Sequence, residues 1–330
     1  IQALSPHPII PILLELKNLT KMLSTYLDGG KGGWKRYISA DGRIHPTAQI
    51  SRAETGRLAF KEPNVQNPPK GIEIHSEDYG IFSNNAFRDI IAAPPGKGVM
   101  NADWSQLECW VLAYMLRDLF DDTTMLAVLE AGKDIHTFAA RGMYLLLDPE
   151  LDDGAWRKAH KDLRDAAKSF VFGYNYDLTV QGHMQRAHVD EETAKDRFAR
   201  YEAAFPTQPK YKRYIRKMLM KRGYGTNRFG RRRHGDGINI LRLMGENSEL
   251  DAWVREFINF PIQAGGSDLH SVASVRTDNL EALHKRGCYA IFSVHDSLTF
   301  EFDWPGEDND YALHTAWLVK NLWQETARTL

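Results

Sequence analysis

Cysteine is almost absent from this chain: Cys109 and Cys288 are the only two among 330 residues. Both lie within apolar runs, so two buried, unpaired thiols are expected rather than a disulfide framework, in keeping with a reducing, intracellular setting. Long hydrophobic runs are missing too. No stretch approaches the roughly 18–20 apolar residues that cross a bilayer. The longest candidate near the start, IIPILLEL, is short, contains Pro11 and lacks the flanks of a secretory signal. No internal repeat, linker or low-complexity tract is visible. The chain opens on Ile1 rather than Met, which reads as a fragment or a processed chain. Acidic residues are missing from one long segment: between Ala203 and Gly235 there is no Asp or Glu, yet there are eleven Lys or Arg. With Tyr, Phe and Gly interleaved (KYKRYIRKMLMKRGYGTNRFGRRRHG), that segment points to a polyanionic partner rather than to a merely solvated helix face.

What is present is ordinary in bulk. Apolar residues make up 43% and charged residues 26%, with a net charge of −1, as in a globular protein. The length allows one large domain or two to three intertwined subdomains. Apolar spacing predicts a helix over 8–27, stopped by Asp28-Gly29-Gly30. A polar, Gly-rich section with strand-like pieces then runs to about residue 86. KGVMNAD at 97–103 reads as a strand and SQLECWVLAYMLRD after it as a helix. Helical patterns dominate 134–222, with breaks expected at Gly154, Gly173 and Pro206. Beyond the basic loop, helices are expected around 247–258, 263–285 and 309–328.

Three constellations carry chemistry. In SVHDSLTFEF, the alternation of Ala290–Val294 and Leu298–Phe302 predicts a hairpin with His295 and Asp296 at its tip, where Asn-Gly or Asp-Gly would make the easiest turn. Asp103 stands where strand 97–103 hands over to a helix. Ser105 and Glu108 have capping-box spacing, which is the structural reading of Glu108. Each aspartate alone reads as a turn or cap residue. Two carboxylates at sheet edges, with no Cys/His cluster for zinc, suit Mg²⁺. In RDAAKSFVFGYNYD, Arg164, Lys168, Phe172 and Tyr176 recur every four residues, drifting about 40° per step into a slowly winding stripe. Two cations followed by two aromatics suit a triphosphate at one end and a base and sugar at the other; an amphipathic surface helix is the alternative. In TGRLAFKEPNVQNPP, Arg57, Asn64, Gln66 and Asn67 occupy a loop, as turn residues or as donors to minor-groove acceptors.

In this order the motifs resemble those of the family A DNA polymerases. DWSQLE is similar to motif A (D-Y-S-Q-I-E), RDAAKSFVFGYNYD to motif B (R-x-x-x-K-x-x-x-F-G-x-x-Y-G) and SVHDSLTFE to motif C (V-H-D-E). LTKMLSTYLD, GKDIHTFAA, RFGRRRHG and NFPIQAGGSDL support them, and the resemblance runs from about residue 7 to 325. It implies an α+β, right-hand polymerase fold: an antiparallel palm sheet, mostly helical fingers and a remnant of the thumb. The expected division is a thumb helix over 1–28, palm over 29–105 and 246–330, and fingers over 106–245. The proofreading exonuclease domain and the closing C-terminal strand of the family are not expected in this chain.

The same resemblance implies template-directed addition of dNTPs to a primer 3′-hydroxyl by two-metal nucleotidyl transfer. Asp103 and Asp296 would hold two Mg²⁺ ions, one acting on the primer hydroxyl and the other on the triphosphate and leaving pyrophosphate. Arg164 and Lys168 would clamp phosphates, assisted by His136, and Phe172 would stack near the sugar and base. Tyr176 and Glu108 would wall off the space of a ribose 2′-hydroxyl, with Gln106 facing the nucleotide. Arg57, Asn64, Asn67, Gln263 and His295 would contact primer–template DNA. A monomer is implied, working with accessory replication proteins and no membrane in the cytoplasm of a bacterial or phage-infected cell.

The chain departs from the pattern at five places. Ser297 stands where motif C usually has Glu, as in the related single-subunit RNA polymerases. Trp104 replaces a Tyr, Asp165 a frequent Arg, Val171 a frequent Asn and Asp177 the closing Gly. Two alternatives follow: an RNA polymerase-like enzyme, motivated by Ser297, and a non-catalytic primer–template binding fragment.

Overall fold

A computed structural model describes residues 7–329 apart from 27–32, 51, 68–72, 77–79, 84–90, 145–146, 236–246, 305 and 307–308. Helix α1 (Ile9–Thr25) is followed by a 3₁₀ turn (Trp34–Tyr37) and four short strands: β1 (Thr47–Gln49), β2 (Ala59–Lys61), β3 (Glu73–Ser76) and β4 (Gly80–Ser83). Strand β5 (Lys97–Asp103) leads into α2 (Leu107–Phe120), α3 (Thr124–Glu130), α4 (Ile135–Met143) and α5 (Asp153–Ala159). Next come α6 (Lys161–Asn175), α7 (Val180–Ala187), α8 (Glu191–Ala204) and α9 (Gln208–Arg222), then β6 (Tyr224–Thr226) and β7 (Arg232–His234). Helices α10 (Asn247–Asp278) and α11 (Glu281–His284), the hairpin β8 (Tyr289–Val294) and β9 (Ser297–Asp303), and α12 (Asn309–Thr329) complete the order. The class is α+β, as expected, with every sheet antiparallel among the described residues.

The chain divides into two compact units, Ile1–Asp103 with Ser271–Leu330, and Trp104–His270. The first is built on the sheet β5-β9-β8. Its middle strand β9 buries Leu298, Phe300 and Phe302 on one face and Ser297 and Thr299 on the other, whereas β5 and β8 leave residues exposed, as edge strands do. Across β5, Gly98 faces Phe302, and a methyl group at Gly98 would lie 2.6 Å from the ring. Helix α12 packs against β5 and buries Thr315, Val319, Trp323 and Thr326, and the Trp323 indole donates to Thr277 Oγ1 at 2.9 Å. A small separate cluster joins Met22, Tyr26, Trp34 and Val65 to Phe292, so that α1 is tied down only near its end while Ile12, Leu13 and Leu16 stay exposed. The expected stop at residues 28–30 lies outside the described residues.

The second unit is helical around an aromatic core. Trp156, Phe170, Tyr174, Tyr201 and Phe205 are fully buried where α4, α6 and α8 pack together. Their polar tips are satisfied: Tyr174 donates to Glu202 at 2.7 Å and Tyr201 to Gln208 at 3.0 Å. Both cysteines are buried and unpaired, as expected, and burial pushes the Cys109 thiol up to about 12.

Two expectations are corrected. Gly173 does not break a helix; it lies inside α6, where a Cβ would come 3.1 Å from Leu178 and 3.3 Å from Arg186, so glycine serves close approach there rather than termination. The helices expected over 247–258 and 263–285 are one helix as far as Asp278, with Pro261 inside it. A proline removes one amide donor and crowds the preceding turn. The buried Tyr211 hydroxyl donates to the Ile258 carbonyl at 2.9 Å, a side-chain donor supplied from α9 just before the proline.

Gly98→Ala is expected to destabilise the chain by about 1–3 kcal/mol through overpacking against Phe302. A urea-melt cycle with Phe302→Leu checks it: the two changes together cost less than their sum if the ring contact is the cause.

Candidate active site

The β8–β9 hairpin turns through His295 and Asp296, with His295 at a left-handed φ of 55°, a region that histidine enters more readily than most non-glycine residues. Ser297 closes the turn, its hydroxyl donating to the Val294 carbonyl at 2.9 Å. The β5–β9 register pairs Asp103 with Ser297, which sets Asp103 beside Asp296 at one end of one sheet. Partner Cα atoms lie about 5 Å apart and successive ones about 3.8 Å, so the two aspartates are within about 9 Å at Cα. Asp103 is exposed and Asp296 half-buried, with Arg57 Nη2 3.1 Å from Asp296 Oδ1.

The loop carrying Arg57 is braced to this hairpin. Gln66 Nε2 donates to the Leu58 carbonyl at 3.0 Å and to the Ser293 carbonyl at 2.9 Å. Asn64 Oδ1 accepts from the Gln66 amide at 2.9 Å, the turn chemistry anticipated for it, and the Asn67 carbonyl accepts from the Tyr26 hydroxyl. Arg57, Asp103, His295 and Asp296 therefore gather in the first unit, with Asn64 and Asn67 exposed in the adjoining loop.

The second unit collects the remaining candidates. Arg164, Lys168 and Phe172 lie on α6 as expected, while Tyr176 is its C-cap, just past the last helical residue. Asp134 caps α4 by accepting from the Thr137 amide at 3.1 Å, and it holds Arg164 through Nε at 2.8 Å and Nη2 at 3.3 Å. Burial works to raise the Asp134 carboxyl, but hydrogen bonds from Arg164 and Thr137 outweigh it and hold it below the usual range. His136 packs on Phe172 with ring centres 5.6 Å apart, and Lys168 Nζ lies 5.9 Å from the same ring. Burial pushes His136 down to about 4, so a neutral imidazole stands beside the two cations at pH 7.

Gln106, expected to face a nucleotide, also braces the protein: its Oε1 accepts from the Ile135 amide at 2.7 Å and its Nε2 donates to the Lys133 carbonyl at 3.3 Å. The expected Ser105–Glu108 capping box is not formed. Helix α2 begins after Gln106, whose left-handed φ of 57° leaves no side-chain cap, and Glu108 lies in the first turn. Gln263 donates to the Tyr176 hydroxyl. A cleft of about 750 Å³ is lined by Lys168, Phe172 and Tyr176 together with Arg186, Arg255 and Glu256. The last three were missed in the sequence because nothing in their spacing ties α7 or α10 to α6. Asp134 was legible as a helix cap but not as the partner of Arg164.

No cluster of three or more His, Cys, Asp or Glu side chains suited to a metal occurs among the described residues. Two aspartates nevertheless fit a divalent ion that takes oxygen ligands and fills its shell with water or phosphate. The sequence matches the model of DNA polymerase family A over residues 1–319. The chain belongs to that family. Among its relatives are a thermostable DNA polymerase I of Thermus filiformis, 32% identical over 300 residues, covering 89% of this chain and 32% of that protein. The DNA polymerase I of Mycobacterium tuberculosis is 29% identical over 303 residues, covering 91% of this chain and 30% of that protein. The chain thus spans about a third of the length of the curated relatives it matches. A solved structure, the POL domain of Pol1 from M. smegmatis in complex with DNA primer-template and dNTP, matches with a TM-score of 0.78 and 27% identity, over 98% of this chain and 51% of that one. Family A polymerases use divalent metals, and no described helix here is long and apolar enough to cross a membrane.

The departure at Asp177 has a physical account. Asp177 takes a left-handed φ of 57°, the conformation a glycine would supply, and pairs at 3.4 Å with Lys212. The Lys212 ammonium is seated 3.4 Å from the centre of the Tyr174 ring, and burial lowers its pKa against the pull of Asp177. The carboxylate is thereby neutralised at the end of α6.

Two outcomes are expected. Asp177→Gly relaxes the backbone yet leaves Lys212 buried without its partner, so it destabilises, by about 1 kcal/mol; Lys212→Met in the same chain restores part of the loss in urea melts. His136 gives a pH signature. Its folded pKa lies below its unfolded one, so the unfolded state binds the extra proton between pH 6.5 and about 4, and stability falls as pH drops through that window. Between pH 7 and 4.5 the wild type should lose about 2–3 kcal/mol more than His136→Asn.

Proposed function

We propose that this chain is the polymerising part of a template-directed DNA polymerase, adding dNTPs to a primer 3′-hydroxyl. In this reading 1–28 is the thumb remnant, 29–105 and 246–330 form the palm, and 106–245 the fingers. The observation that carries it is the β5–β9 register, which brings the motif A and motif C aspartates to the same sheet end. Asp103 and Asp296 would hold two Mg²⁺ ions, which when bound supply Lewis acidity at the primer hydroxyl and the leaving phosphates.

The protein's own groups do the rest. Lys168 and Arg164 present positive charge to the triphosphate, with Arg164 exchanging its Asp134 partner for phosphate oxygens. Neutral His136 offers an N–H rather than a charge. Phe172 gives a flat apolar surface for the sugar and base. Tyr176, oriented by Gln263, and Glu108 restrict the space beside C2′ of the sugar. Gln106 faces the nucleotide while its amide braces the Lys133–Ile135 segment. Arg57, Asn64, Asn67, Gln263 and His295 serve primer–template DNA, which the solved POL-domain relative holds in its complex. A monomer served by accessory replication proteins, in the cytoplasm, completes this assignment.

Ser297 does not call for an RNA polymerase. Its hydroxyl is engaged in closing the hairpin turn, which accounts for it without reference to the nucleotide.

Primer extension with Mg²⁺ tests the proposal. Asp103→Asn and Asp296→Asn should each lower dNTP incorporation on the order of 10³-fold while primer–template binding persists, and Glu108→Ala should raise ribonucleotide use. Unchanged extension in both aspartate variants would favour a non-catalytic binding role. Preference for rNTPs in the wild type, with no response to Glu108→Ala, would favour an RNA polymerase.

A further inference from the structure

The acid-free run is only partly neutralised in the folded chain. Lys212 pairs with Asp177, Arg216 with Asp251, Arg228 with Asp118, Arg231 with Asp268 and Arg233 with Glu256. Five cations of α9 are in no ion pair among the described residues, all exposed: Arg222 at its end, and Lys210, Arg213, Lys217 and Lys221 along one face. The charge of Lys210 helps to lower the Asp122 carboxyl. At about 100° per residue these four fall within about 80° of helix face and extend some 16 Å along it. The opposite face carries Tyr211, Ile215 and Leu219, all buried, and Lys212, which docks on the end of α6. The cation row therefore points away from α6 and from the nucleotide-binding candidates on it.

Past Gly223, at φ 73°, the chain enters the β6–β7 hairpin, whose turn exposes Arg228 and Phe229, the ring being 38% exposed. Arg232 follows, its guanidinium 5.0 Å from the centre of the Tyr224 ring. The turn is firmly held. Asn227 Oδ1 accepts from the Phe229 amide at 3.1 Å and the Arg231 amide at 2.8 Å, while its Nδ2 donates to Asp268 at 2.7 Å. Arg231 grips the same carboxylate at 2.6 and 3.0 Å. A fixed turn thus holds Phe229 out in water, and α9 of the same unit leaves a row of cations outside any ion pair.

We propose that the outer face of α9 and the β6–β7 turn form a second nucleic-acid surface, one that takes single-stranded nucleic acid. Phosphates meet Lys210, Arg213, Lys217 and Lys221, and a base stacks on Phe229, the pairing of charge and aromatic platform that strand binding without sequence preference requires. An acidic protein segment would use the cations but has no use for the ring, so the exposed Phe229 favours the nucleic acid.

Fluorescence anisotropy with labelled oligothymidylate, without nucleotide and over a range of salt, tests this separately from polymerisation. Removing three phosphate contacts in R213Q/K217Q/K221Q should flatten the log K against log salt slope by about 2 and weaken low-salt binding about tenfold or more. Phe229→Ala should weaken binding about five- to tenfold with the slope unchanged. Unfolding temperature, and one-nucleotide extension on a template with a single-base overhang, should match the wild type in both variants. The proposal is overturned by absent oligothymidylate binding, by wild-type affinity and slope in the triple variant, or by wild-type affinity in Phe229→Ala. It is also overturned if the triple variant loses polyglutamate binding but keeps oligothymidylate, which would make the face an acidic-protein surface.

Discussion

The hydrogen-bonded register between β5 and β9 is the constraint on which the candidate chemistry rests. Side chains alternate along a strand, so a slip of one residue would turn Asp103 to the other face of the sheet and displace it relative to the hairpin tip. Register is pinned by features along the whole strand pair. Gly98 gives the Phe302 ring room, Thr299 donates to Asn101 at 3.0 Å, and Lys97 pairs with Asp303 at the distal end. The buried apolar face of β9 makes any slipped pairing expensive, because it would bring Leu298, Phe300 and Phe302 to the wrong side.

Charged groups at both candidate sites already have partners within the protein. Arg57 holds Asp296, and Asp134 holds Arg164. Such pairs keep the side chains oriented and satisfied, and under the proposed function ligand binding would exchange one charged partner for another instead of ordering a free side chain. The departures from the family pattern are of the same kind. Asp177 takes the backbone conformation of a glycine and is neutralised by Lys212, while Ser297 closes the turn that carries Asp296. Left-handed backbone at Gln106, Asp177 and His295 marks the edges of these sites. Each such residue costs on the order of 1 kcal/mol and persists where its surroundings hold it.

Much of this was readable in the linear chain. Strand 97–103, the α6 stripe and the hairpin around His295 and Asp296 follow from period and turn chemistry, and the ordered motifs carried the family. The sequence could not reveal what depends on side chains brought together from distant segments. Pro261 reads as a break because it lacks an amide donor, yet α10 runs through it within a packed core, with Tyr211 of α9 bonded to Ile258 nearby. The bonds from Gln106 to Lys133 and Ile135 are not legible either, because those residues lie at the start of a later helix. Arg186 and Arg255 reach the α6 cleft from helices whose spacing carries no trace of it.

The residues alone therefore determined which chemical groups exist and the local period on which each is mounted, because helix and strand geometry are short-range properties of the backbone. Only the tertiary structure decided which of those groups meet. It set Asp103 beside Asp296, gave Arg164 to Asp134, neutralised half of the basic run and left one face of α9 bare. Such pairings arise from packing and register between segments that are thirty or more residues apart, and no local pattern encodes them.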